Sequence, residues 1–157
     1  MTILTCEMFA KLLPHFEGST AREPTSGITY DAWCEHMHTC ASCSDAVLAH
    51  RTASWGVDAS AFPCIHMAYR ASQTCPMHES REECPDLVIG YDEVFDEYSI
   101  IKDGVSLAIS FCPWCGVKLP PSQRDRWFAE LETLLGTSPL SAPEKVPTRF
   151  RSREWRG

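Results

Sequence analysis

Two groups of residues in this chain have the types and spacing to hold a metal ion. The first is His36-x3-Cys40-x2-Cys43. An i,i+4 pair on a helix projects both side chains to one side, and the CxxC closes a turn behind them. Zinc takes four nitrogen or sulfur ligands in a tetrahedron, at about 2.0–2.1 Å to nitrogen and about 2.3 Å to sulfur. Cys6 can supply the fourth ligand from an upstream helix, and Cys34 and His38 are close enough to replace Cys6 or His36. The second group is Phe111-Cys112-Pro113-Trp114-Cys115-Gly116. Its glycine permits a tight turn, and its two thiolates converge on one metal. The same spacing occurs in thioredoxin-like redox pairs. Those need a helix starting at the second cysteine, and Gly116-Val117-Lys118-Leu119-Pro120-Pro121 cannot start one.

A CxxC knuckle needs two further ligands. Cys64 and Cys84, each beside a proline, give the leading set Cys64, Cys84, Cys112 and Cys115. Cys75-x2-His78 is the alternate source, and His66 ranks last. His15 and His50 have no assigned role. The expected cofactor is therefore zinc, two ions per chain.

Composition fits that chemistry. Nine cysteines would leave one thiol over in a closed set of disulfides. Met1 to Cys6 lacks the basic start of a secretory signal, and the apolar run at Phe9 to Leu13 is short and interrupted by Lys11. No stretch approaches the roughly 18 apolar residues of a membrane span. The expectation is a cytoplasmic protein whose reduced thiols hold metal. Apolar residues are 44% and charged residues 22%, as in globular chains. A net charge of -7 argues against a general nucleic-acid coat.

The elements that must position these groups are legible in part. Residues 5–16 read as a helix capped by Thr5, with Met8, Phe9, Leu12, Leu13 and Phe16 on one face. Pro14 is expected to kink or end it. Gly18 to Gly27 reads as a loop. A second helix is expected from Thr29 or Asp31 to about His50, with a turn at the CxxC. Residues 86–91, 98–102 and 105–111 read as strands, and Asp103-Gly104 as a type I′ hairpin turn. Ser122 to Leu135 reads as a helix stopped by Gly136.

The fold class is α+β. A zinc-stapled helical module over residues 1–55 precedes a small antiparallel sheet with one C-terminal helix and a zinc knuckle over 60–136. Residues 137–157 are expected to be a flexible Pro/Arg-rich tail. The last fourteen residues carry five basic and two acidic side chains, against nine and nineteen in the remainder.

Two resemblances follow from these segments. Leu4 to Gly18 (LTCEMFAKLLPHFEG) with His36 to Cys43 (HMHTCASC) resembles the zinc-binding anti-sigma domain, although the connection from Gly18 to His36 is longer than in that family. The resemblance implies a helical zinc module that grips a protein partner, a sigma factor in that family, and releases zinc when its thiols oxidise. Residues 63–136, through Cys84 to Gly104 and Phe111 to Gly136, resemble an uncharacterised family of small bacterial proteins with an FCPWCG knuckle. That resemblance implies a zinc-stapled α+β domain and brings no activity.

Signatures of catalysis are sparse. No Walker loop, GxSxG elbow, Rossmann glycine pattern or HExxH occurs. The zinc-deaminase PCxxC is missing because Cys112 follows Phe111, not proline. Asp92, Glu93, Asp96 and Glu97 would form i,i+4 carboxylate pairs on a helix, yet read more plainly as a solvated face. The expectation is a non-catalytic zinc-binding regulatory or protein-interaction protein, in the manner of a transcription regulator. A nucleic-acid-binding zinc ribbon using the basic tail is one alternative. A zinc or thiol enzyme is another.

Overall fold

The computed structural model describes residues 4–18 and 24–157, so residues 19–23 of the expected Gly18–Gly27 loop lie outside the described residues. The chain forms two compact units, Met1–Ser72 and Gln73–Gly157.

The first unit is helical: α1 (Cys6–Gly18), α2 (Tyr30–Thr39), α3 (Ala41–Ser54) and α4 (Ile65–Ser72). Thr5 caps α1 as its sequence suggests, with Met8 N–H donating to Thr5 Oγ1 at 3.3 Å. Pro14 does not end this helix, which continues to Gly18. Pro14 and Ala10 both lie on the exposed face, where water can serve the carbonyl left without an N–H partner, while Phe9, Leu12 and Phe16 bury the opposite face.

The expected helix over 29–50 is two helices. Cys40 adopts an extended conformation (φ -114°, ψ 106°) and is at once the end of α2 and the start of α3. The core joins Phe9, Leu12, Phe16, Ile28, Trp33, Cys43 and Val47, with Phe9 stacked on Trp33 at 4.6 Å between ring centroids. A two-pronged ion pair fastens α1 to α3: Arg51 Nε and NH2 donate to Glu17 Oε2 and Oε1 at 2.5 and 2.8 Å. The unit ends at Ser72 and not near residues 55–60, because α4 packs on α3 and Tyr69 stacks on Trp55 at 5.1 Å.

The second unit carries an antiparallel meander of order β1-β2-β3: β1 (Ile89–Asp92), β2 (Glu97–Lys102) and β3 (Val105–Ala108). The first and third strands are shorter than the sequence suggests. Asp103 and Gly104 both take positive φ (51° and 75°), the type I′ geometry expected of that pair. The acidic cluster is not helical. Asp92 faces Glu97 across the hairpin, with Asp96 in a positive-φ turn position between them. The helix α5 (Arg124–Leu135) follows, closed by Gly136 at φ 68°.

The C-terminal segment is not a flexible tail. It folds into three short 3-10 turns, and Phe150 and Trp155 are buried to 3% and 6% exposure against the fully buried Leu131 of α5. Trp127 Nε1 donates to the Phe150 carbonyl at 2.8 Å, and Trp155 Nε1 to the Val94 carbonyl at 2.7 Å. Arg156 pairs with Asp96 at 2.9 Å. The aromatic residues sit at positions without helical or strand periodicity, which is why pattern alone reads the segment as loose. The α+β class holds: helices first, then a three-stranded antiparallel sheet with one long helix after it.

Candidate metal centres

Three helix termini bring the first group together. Cys6 opens α1, His36 lies in the last turn of α2, Cys40 is the break between α2 and α3, and Cys43 stands in the first turn of α3. Their ligand atoms all lie within 4.8 Å of one another. Cys6 Sγ is 3.7 Å from His36 Nε2 and 3.7 Å from Cys40 Sγ. A tetrahedron with sulfur arms of about 2.3 Å has edges of about 3.8 Å, so these separations are those of a zinc shell. Cys34 and His38 do not join the group; Cys34 packs against the aromatic core.

The thiols of this group are electrically unequal. Hydrogen bonds from the Ser42 hydroxyl, the Cys43 amide and neighbouring thiols bring Cys40 down to about 6. Burial, then the neighbouring Cys40 and Cys6 sulfurs, pushes Cys43 up to about 12. Cys40 caps the N-terminus of α3, which favours its thiolate, and a second thiolate beside the first is resisted without a cation. A divalent ion removes that conflict, since a coordinated thiol is deprotonated outright.

The knuckle lies in the second unit. Ser110 and Leu119 join through Leu119 N–H to Ser110 O at 2.9 Å, and Cys112 N–H donates to Val117 O at 2.8 Å. Gly116 takes φ 71°, and its N–H returns to Cys112 O at 2.9 Å. Cys112 is buried and Cys115 exposed, and their sulfurs lie within 4.8 Å of one another. No helix starts at Cys115.

Cys84, expected to complete the knuckle, stands elsewhere in the second unit. It groups with Cys75 and His78, all three ligand atoms within 4.8 Å. Cys75 Sγ lies 3.2 Å from His78 Nδ1, and that hydrogen bond is the largest cause bringing the Cys75 thiol down to about 7. The residues treated as alternates for the knuckle thus form a group with Cys84. The C-x2-H spacing was visible in sequence, but the return of Cys84 depends on an irregular loop that no periodicity predicts. Cys64 belongs to the first unit, just ahead of α4. Among the described residues, which include all nine cysteines, no disulfide forms.

The acidic cluster is occupied structurally. Asp92 Oδ1 accepts from the amides of Val94 and Phe95, Asp96 accepts from Tyr91 Oη, and Glu97 accepts from Ser122 and Arg124. A cavity of about 450 Å³ beside it is lined by Arg81, Glu97 and Arg124 among others. Its Arg124 is paired with Glu97, and its Arg81 is bound to backbone carbonyls. A His-x-Glu triplet, His15-Phe16-Glu17, has its histidine on Thr25 Oγ1 at 2.7 Å and its glutamate on Arg51.

A domain family described as a domain of unknown function, DUF6980, matches residues 61–157. The chain belongs to the DUF6980 family. The DUF6980 region takes in α4, the Cys75/His78/Cys84 loop, the sheet, the knuckle, α5 and the folded C-terminal segment. The helical tetrad precedes it. Neither the curated proteins nor the solved structures contain a match to the chain.

Among the described residues, no helix is long and apolar enough to cross a membrane. The Cys/His groups could hold metal ions.

Proposed function

We propose that this chain is a zinc-binding, non-catalytic interaction protein of the bacterial cytoplasm. Its helical module presents a partner-binding surface that zinc staples. The observation that carries this reading is the Cys6/His36/Cys40/Cys43 group, four soft or borderline donors at tetrahedral edge distances on three helix ends. Such a set leaves no ligand position for water or substrate, which favours a structural ion over a catalytic one. A binding role draws further support from the second unit, where Phe111 (56% exposed) and Trp114 (43%) stand out on the knuckle. Val105 and Leu107 do the same on the edge strand β3.

By its resemblance to the anti-sigma domain, the partner of the helical module is a sigma factor. The nucleic-acid alternative loses its main support, because the tail aromatics are buried and Arg156 is paired.

Metal content tests the staple. The protein purified without added metal carries zinc, and the double variant Cys40→Ser/Cys43→Ser, left with only two of the four donors, carries one ion fewer; equal zinc in both overturns the site. Sigma-factor binding is measured by mixing the zinc-loaded full chain with candidate sigma factors, and again after chelation. Binding that needs zinc supports the partner reading, and no binding in either state overturns it.

A further inference from the structure

The loop from residue 73 to 88 contains no helix or strand. Irregular stretches of this length inside a compact unit are uncommon and are mostly functional. Arg81 closes this one. Its NH2 donates to the Gln73 carbonyl at 2.6 Å and its NH1 to the Ile89 carbonyl at 2.9 Å, so one guanidinium holds both ends of the loop. Arg81 is half-buried, and desolvation lowers its affinity for the proton. Cys84 then turns inward, with its amide on the Arg81 carbonyl at 3.2 Å, and is 4% exposed. Cys75 is half-buried and His78 exposed.

We infer that Cys75, His78 and Cys84 form a separate zinc site with an open fourth position that accepts a small thiolate from outside the chain. The site deepens the zinc-binding reading above but uses none of the helical tetrad. Three protein donors converge, and among the described residues no fourth Cys, His, Asp or Glu donor joins them within 4.8 Å. Glu79, Glu82 and Glu83 of the same loop are exposed and stay outside the group. A Cys₂His set with one vacant position is the ligand count of a zinc centre that keeps a water.

Cys84 is buried and His78 exposed, so one edge of the group lies at the surface, the side from which an outside thiol would reach the ion. Two thiolates neutralise the ion's charge, and zinc favours sulfur donors, so an incoming thiol is a suitable fourth ligand. The exchange balances simply: the thiol S–H bond breaks, a zinc–sulfur bond forms, the water leaves and one proton is released. No electron transfer is involved. A three-donor site also gives up its ion more readily than a four-donor one, so its zinc is the exchangeable fraction.

The experiment uses the full chain loaded with Co²⁺, whose thiolate charge-transfer absorption reports sulfur ligation. Wild type, His78→Ala, Cys75→Ser and the double variant Cys40→Ser/Cys43→Ser are each titrated with Co²⁺ alone and then with 2-mercaptoethanol. His78 is exposed, so His78→Ala leaves the fold intact, and circular dichroism checks it. Wild type and Cys40→Ser/Cys43→Ser should gain thiolate absorption equal to one added sulfur when the thiol is added. His78→Ala and Cys75→Ser should each bind one ion fewer than wild type and show no gain. Unchanged ion counts in both loop variants overturn the site, and an unchanged wild-type spectrum on adding thiol overturns its open position. Loss of an ion in the loop variants but not in Cys40→Ser/Cys43→Ser would sink the helical staple and leave this site standing.

Discussion

At the scale of single residues, the helical tetrad turns local helix chemistry into a donor set that could hold a metal ion. Cys40 is the residue where this is sharpest, because the break between α2 and α3 leaves its sulfur facing N–H groups and the Ser42 hydroxyl. With its thiol brought down to about 6 in the metal-free state, its thiolate fraction passes one half near pH 6 and is nearly complete by pH 8. Iodoacetamide labelling of the chelated protein should therefore rise through pH 6 at Cys40 and level off. Cys43, pushed up to about 12, should stay unlabelled across that range. Zinc should protect both. Peptide mass spectrometry reads this out, and equal labelling of the two cysteines would count against the arrangement. The HxxxCxxC spacing made this group legible in sequence, since helical periodicity dictates which side the ligands take. The Cys75, His78 and Cys84 group was only half legible. A C-x2-H pair is a local pattern, but the approach of Cys84 is fixed by the Arg81 carbonyl contacts, which no spacing rule encodes.

Among the elements, the C-terminal segment departs most from its sequence pattern. Prolines and arginines dominate it, and its two aromatics follow no period, so composition suggests a solvated end. The structure instead folds the segment over α5, where Trp155 and Phe150 lie stacked at 5.8 Å and cover Leu131. Tertiary contact overrides composition here, as it does at Pro14, where the buried face of α1 outweighs one lost hydrogen bond. Native protein should therefore resist trypsin at Arg149, Arg151 and Arg153, sites that a flexible tail would lose first. Trp155→Ala removes a buried ring and its bond to the Val94 carbonyl, and should cost about 3–5 kcal/mol in the second unit. The same substitution should open the segment to trypsin. Denaturant unfolding and timed digestion measure the two effects, and rapid native cleavage would overturn the packed segment. By contrast, the Asp103-Gly104 turn and the stop at Gly136 were legible, because each positive φ needs the residue type found there.

For the molecule as a whole, the proposed zinc raises the question of how much folding free energy it would supply and where. Units of 72 and 85 residues bury a smaller fraction of their surface than larger domains do, so staples matter. Structural zinc contributes about 10–16 kcal/mol of apparent binding free energy in small zinc-finger peptides near neutral pH. In the first unit the tetrad sits on three helix ends, so its loss frees all three at once. The aromatic core of Phe9, Phe16 and Trp33 and the Glu17–Arg51 pair are left to hold α1 against α3. In the second unit the knuckle and the 73–88 loop depend on thiols, whereas α5 rests on Leu131, Phe150 and Trp155, which touch no ligand. Removing zinc with a chelator should therefore act unevenly. Hydrogen exchange should accelerate most in the ends of α1, α2 and α3 nearest the tetrad, in residues 73–88 and in residues 110–119. Helix α5 and the C-terminal turns should change least. Mass-resolved exchange of loaded and chelated protein decides this, and uniform acceleration across both units would mean that the metal sustains the whole fold instead of these local staples.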